Sequence, residues 1–287
     1  MLAQFLALLG AVTFAVNHIL VKKGLLAGAT PTVCTLVNIT SNAVCLWILA
    51  LFLTPLGALA APQSLIFILV GILVPGLARI LFFTGMDRLG VSRATAVIGA
   101  APIFSTIVAM VALRERPDLL TALGTLCVVG GLAGLSLERH VRITWKRSDL
   151  LFPLASALLF SARDNLTRLA TRSWAYPLLG SAIATGAATF FVFLVNAPLA
   201  PAGSLRCNRT SFFFFALSGI TSAVGYLCFY SALSMAPVVR VAPLLYTINI
   251  FSVILSYFFL KDSEILTLRV ILSAPVIFTG ILLVTAF

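Results

Sequence analysis

The sequence predicts an all-α integral membrane protein of ten transmembrane helices arranged as two inverted five-helix repeats. Three observations predict it. Of 287 residues, 61% are hydrophobic and 9% charged, with mean hydropathy +1.14; soluble domains carry about 25% charged residues. Ten apolar stretches follow one another with short connections, each close to the roughly 20 residues that cross about 30 Å of hydrocarbon. The chain also aligns with itself at a shift of 147 residues.

The stretches lie at about 2–21, 31–53, 64–86, 92–113, 118–137, 149–170, 175–197, 210–234, 237–260 and 265–286. The first has no basic segment before it and no small-residue cleavage site after it, and Lys22-Lys23 follows the apolar run, so it reads as a helix and not a signal peptide. The second carries Asn38, Asn42 and Trp47, and the third Pro75-Gly76 and Arg79. Pro102 and Pro243 mark the fourth and ninth as places where helical hydrogen bonds can break, which is tolerated beside a cavity. The fifth is rich in glycine, and Gly130 and Gly134 at helical spacing predict close helix approach. The sixth contains Arg163, Asp164 and Asn165; the eighth opens on Phe212–Phe215 and carries Tyr226. Such all-apolar runs exclude a β-barrel, whose strands alternate. Five scattered cysteines without a CxxC pair predict neither a metal site nor a disulfide framework.

At the 147 shift, Phe82–Glu115 meets Phe229–Asp262 without a gap, with eight identities in 34 pairs, among them Arg93/Arg240, Phe104/Phe251 and Ser105/Ser252. A shift of 146 aligns Phe14 with Phe160, Leu20 with Leu166 and Lys22 with Arg168. The predicted units are residues 1–137 and 149–287, joined by a basic linker at 138–148. Five crossings per unit leave the second copy upside down. Inverted repeats of this kind characterise transporters, with the binding site near the midplane where the copies meet.

Ten spans in two five-helix halves, the fourth-span endings Phe104–Leu113-Arg114-Glu115 and Phe251–Leu260-Lys261-Asp262, Gly124, Gly130-Gly131 and Gly134, and the run Phe82-Phe83-Thr84-Gly85-Met86 resemble the drug/metabolite transporter superfamily, and within it the EamA-type family. Asp262, where the family usually has Glu, and Pro275 in the last span depart from the pattern. The resemblance implies a secondary transporter of small metabolites, often an amino-acid exporter, in the inner (plasma) membrane of a bacterium. A nucleotide-sugar or other phosphorylated metabolite is the alternative cargo that the resemblance allows.

Ionisable groups within hydrocarbon are costly and so read as functional. Asp164 alone among the eight acids lies well inside a span; at the 146 shift it matches His18, and Arg163 matches Asn17. Asp164 and His18 are therefore the candidate proton-coupling groups, unless Arg163 and Asp164 lie nearer the membrane edge and Arg163 snorkels to the headgroups. Arg79, about four turns into its span, matches Tyr226. It suits bidentate binding of a carboxylate or phosphate, or else an internal ion pair with Asp164. Asn17, His18, Arg163, Tyr246 and Asn249 complete the candidate substrate-binding set.

The net charge of +11 is spread over most connections, so it indicates no nucleic-acid face. Excluding Arg79, twelve basic residues lie on the linker side and six on the side of the termini. The positive-inside rule then places the linker in the cytoplasm and both termini outside, opposite to many relatives. The sequence has no Gly-x-Ser-x-Gly, HExxH or P-loop motif, which argues against an enzyme and against an ATP-driven pump, and implies no cofactor. No ring of like charges suggests a channel filter. The expected partners are a small-molecule substrate, the lipid bilayer and, for coupling, protons; the chain acts as a monomer or homodimer.

Overall fold

In a computed structural model the described residues are 1–89, 94, 97–136, 146–196, 207–259 and 268–285, with only the backbone described for a few of them, Arg79 and Asp87 included. Among these residues every regular element is helical. The repeat matches at Arg93, Lys261 and Asp262 lie outside them, as does most of the predicted linker.

The first two helices are α1 (Leu2–Leu26) and α2 (Pro31–Leu53). Thr30 starts α2, its hydroxyl accepting from the Val33 N–H at 3.4 Å with Pro31 in the first turn. The third predicted span is not continuous. It runs as α3 (Gln63–Gly71), a π turn over Ile72–Leu77 and α4 (Ala78–Leu89). Val74 leaves helical geometry (φ −145°, ψ 120°) before Pro75, whose missing N–H removes a helical hydrogen bond. After α5 (Ala101–Ala112) and α6 (Leu119–Ser136), a 3-10 turn at Arg147–Leu150 leads into α7 (Leu151–Ser173).

The remaining helices are α8 (Pro177–Asn196), α9 (Arg209–Met235), α10 (Val238–Leu245), α11 (Ile248–Phe259) and α12 (Leu268–Thr285). The predicted ninth span is likewise broken, at Tyr246-Thr247 between α10 and α11, three residues after Pro243. Among the described residues, five segments are long and apolar enough to cross a membrane: Leu2–Leu26, Pro31–Leu53, Pro177–Val195, Arg209–Met235 and Val238–Phe259. Four more, Gln63–Leu77, Val97–Ala112, Leu119–Gly134 and Leu272–Thr285, are apolar and shorter.

The two halves of the chain pack mainly against each other. Helix α1 lies along α9 and meets α10 and α11, while α7 lies along α3 and α4 and meets α5. Helices α2 and α8 pair, and so do α6 and α12. Helix α1 ends at the start of α9, where Ser211 donates to Gly24 O at 2.8 Å. Helix α7 ends at the opposite end of α9, where Arg168 donates to Leu233 O at 2.6 Å. The 22 residues between those contacts span about 33 Å of helix.

Glycine permits the closest approaches. A Cβ on Gly219 would stand 2.5 Å from Asn38 O of α2, and one on Gly280 of α12 would stand 2.7 Å from Gly124 O of α6. The Gly130 expectation needs correction: a Cβ there meets nothing within 4 Å, whereas Gly131 and Gly134 face Ile277 and Ser273 of α12. The register that packs α6 on α12 is thus Gly124–Gly131–Gly134.

Candidate functional site

Helix α7 is the most polar of the long helices and is packed among several others. Ser156, Ser161, Arg163, Asp164, Asn165, Thr167 and Thr171 are all buried on it, and it touches α3, α4, α5, α9 and α10. Protein, not lipid, is the medium of these groups, which is how ionisable residues are accommodated at membrane depth.

Asp164 is fully buried and accepts four hydrogen bonds. Its Oδ1 takes Arg163 Nε at 2.9 Å and Nη2 at 2.7 Å. Its Oδ2 takes the Ser105 hydroxyl of α5 at 2.8 Å and the Tyr246 hydroxyl at 3.3 Å. Tyr246 reaches inward because the helix stops at that residue. The Arg163 guanidinium lies over two rings, Phe160 at 5.1 Å and Phe229 at 4.8 Å, so its faces are covered by the negative side of aromatic systems. Asn165 donates to Ser105 O at 3.1 Å and Ser161 O at 2.9 Å, and its Oδ1 is buried without a hydrogen-bond partner among the described residues.

An aromatic row leads away from this pair. Phe229 packs on Tyr230 at 5.7 Å, Tyr230 on Tyr226 at 6.0 Å, and Tyr226 edge-on to Phe14 of α1 at 5.1 Å. Beyond Phe14 a neutral network begins: Asn17 donates to Ser222 at 2.8 Å, and Asn38 donates to Asn17 Oδ1 at 3.2 Å and Ser218 at 2.7 Å. These bonds join α1, α2 and α9 as polar residues do in lipid. His18 pairs through Nδ1 with the Ser252 hydroxyl of α11 at 2.9 Å, and it is exposed.

Of the eight residues singled out by sequence, Arg163, Asp164 and Tyr246 form one hydrogen-bonded cluster. Tyr226 belongs to the adjoining aromatic row, and Asn17 to the amide network. His18 is held separately by α11, and Asn249 lies half-buried in the first turn of α11. The Arg79 backbone lies in the first turn of α4, and its side chain is outside the described residues.

Three kinds of partner are not evident from sequence alone. Ser105 holds Asp164 and Ser252 holds His18, and both serines are matched by one shift as their partners are by the other. Their identity in the repeat alignment was the available signal. Phe160 and Phe229 are ordinary aromatics until the guanidinium is seen over them. Glu115, placed by sequence at a span end, is buried at 7% exposure. It accepts from Arg172 at 3.1 Å and Arg168 at 3.4 Å.

A carboxylate and a guanidinium therefore stand side by side in the bundle, mutually neutralised and bordered by rings and hydroxyls from both halves. That arrangement can offer one anionic and one cationic contact to a ligand without a net buried charge. No curated protein matches the chain. A solved crystal structure superposes on it with a TM-score of 0.81 at 15% identity, covering 99% of this chain and 96% of that one, which is a likeness of fold. The family model for the EamA-like transporter family matches twice, over residues 1–137 and 147–286. The chain, a multi-pass membrane protein whose relatives carry small molecules across the bilayer, belongs to the EamA-like transporter family, and through it to the drug/metabolite transporter superfamily.

Proposed function

We propose that this protein is a secondary active carrier that exports small zwitterionic metabolites, amino acids first, by alternating access. Its ten membrane-crossing segments form two inverted halves, residues 1–137 and 149–287, joined by a linker at 138–148. The observation that carries the cargo reading is the buried Arg163–Asp164 pair. A zwitterion brings a carboxylate for the guanidinium and an ammonium for the Asp164 carboxylate, so it enters without adding net charge to a low-dielectric site. The bidentate fork of an arginine suits a carboxylate. Phosphorylated cargo fits less well, because Asp164 already neutralises Arg163 and would repel a dianion.

In this reading Tyr246 and Ser105 orient Asp164, and Tyr226 with Asn17 border the side-chain end of the cargo. Arg79 and Asn249 add polar contacts, and Asp164 and His18 exchange the coupling proton. Counterflow tests the reading. Proteoliposomes are preloaded with a mixture of the common amino acids, and single labelled amino acids are added outside. Saturable accumulation of some labels is expected. No accumulation from folded, inserted protein overturns the amino-acid reading.

A further inference from the structure

Asp164, Arg168 and Arg172 stand four residues apart on α7 and so share one helix face, about 6 Å per step along the axis. Both arginines converge on Glu115, in the connection between α5 and α6. Glu115 also accepts the Val239 N–H at the start of α10 at 3.4 Å. Arg168 donates in addition to Leu233 O and Ser234 O at the end of α9, at 2.6 and 3.0 Å. The cluster therefore ties the first half to the second in one layer, a single helical turn beyond Asp164.

The corresponding helix of the other half is arranged differently. His18 and Lys22 occupy the places of Asp164 and Arg168 at the 146 shift, and both are exposed. Asp164 is 0% exposed. The hydrogen bonds Ser105–Asp164 at 2.8 Å and Ser252–His18 at 2.9 Å show that the two helices sit alike in their surroundings. The difference lies in access to them. Lys22 lies just past the apolar run, where an ammonium reaches the headgroups, and His18 is exposed one turn deeper.

We propose that Glu115, Arg168 and Arg172 form a gate that shuts the approach to Asp164 from one face of the bundle. The approach open in this conformation runs along α1, past Lys22 and His18. The two approaches start from opposite faces, because α1 and α7 end at opposite ends of α9. This deepens the alternating-access reading and rests on it: opening the Glu115 gate shifts the population toward the conformation in which the His18 approach is shut.

Serines at equivalent places supply the reporters. In a background with Cys34, Cys45, Cys127, Cys207 and Cys228 replaced, Ser105→Cys and Ser252→Cys are made singly in proteoliposomes. A membrane-impermeant thiol reagent is then applied from each side. With Glu115 intact, Ser252→Cys labels fast from one side and Ser105→Cys slowly from the other. Adding Glu115→Gln raises Ser105→Cys labelling about tenfold, as expected when a minor state goes from about 1% to about 10% of the population, and slows Ser252→Cys.

Arg168→Gln repeats the test from the other partner should Glu115→Gln fail to fold. Unchanged Ser105→Cys labelling in a folded gate variant overturns the proposal. A rise there with Ser252→Cys unaffected also overturns it, because the two approaches would then be uncoupled. Counterflow by the native chain stands apart from these results: its absence alongside reciprocal labelling would refute carriage of the tested cargo and leave the gate in place.

Discussion

Removing one member of the Arg163–Asp164 pair is a severe perturbation whose size follows from the surroundings. In Arg163→Gln, Asp164 keeps the Ser105 and Tyr246 hydroxyls but loses two charged donors at 2.9 and 2.7 Å, at 0% exposure. An uncompensated buried charge costs about 3–5 kcal/mol when its partner is removed. That is a large part of the 5–15 kcal/mol typical of a folded domain. At about 2 °C per kcal/mol for a long chain, the melting temperature of the detergent-solubilised protein should fall by about 6–10 °C.

Asp164→Asn should cost a similar amount, since it leaves the guanidinium unpaired between two rings. The double variant Arg163→Leu/Asp164→Leu should recover most of the loss, because exchanging a buried ion pair for apolar residues is often neutral or stabilising. Transport should not recover with it. Melting temperature and counterflow, measured on all three variants, separate the two roles. A drop of less than about 2 °C in either single variant would refute the reasoning, given the cost expected for an isolated buried charge. So would counterflow surviving in the double variant.

Ser105→Ala should cost about 1.5–3 kcal/mol, the range for a hydrogen bond to a charged group. Ser252→Ala should cost clearly less, since exposed His18 can turn to water; equal melting shifts would contradict the difference in access. In the proton-coupling reading, Asp164→Asn or His18→Gln abolishes the dependence of transport on a pH gradient, measured by uptake at fixed cargo gradient; dependence retained in both variants would sink it. Asp118, in the connection between α5 and α6, accepts the Thr121 N–H at 2.7 Å and pairs with Arg240 at 3.0 Å. The Thr121 bond, with help from Arg240, holds its carboxyl below the usual carboxylate range. Its stabilisation is therefore present at neutral pH and lost as pH falls below about 4, the ordinary carboxylate value, and through the lowered one. Asp118→Ala should cost about 0.5–2 kcal/mol at pH 7 as a lost helix cap, with the gap to the native chain closing in acid; a constant gap would exclude the charged cap.

Much of this was legible beforehand. Apolar run length located the long helices to within a few residues, since crossing hydrocarbon is a demand on composition that each stretch meets by itself. Pairing of the 147 and 146 shifts singled out Asp164 with His18, and Ser105 with Ser252 was already among the identities. The breaks were only half legible. Pro75 and Pro243 announce a lost N–H, but the chain departs from helix at Val74 in one case and at Tyr246 in the other. Where a helix yields depends on which neighbours satisfy the freed groups.

Glu115 shows the limit most clearly. Its position after a hydrophobic run reads as a solvated span end, yet Arg168 and Arg172, more than fifty residues on, enclose it. The sequence by itself determined the helical membrane class, the duplication and the rare ionisable residues inside it, because hydropathy acts locally and adds along the chain. Only the tertiary structure decided that Ser105 and Tyr246 complete the surroundings of Asp164. Those outcomes are pairings between groups 59 and 82 residues apart, and a buried polar group is satisfied by whatever the packing brings within about 3 Å of it.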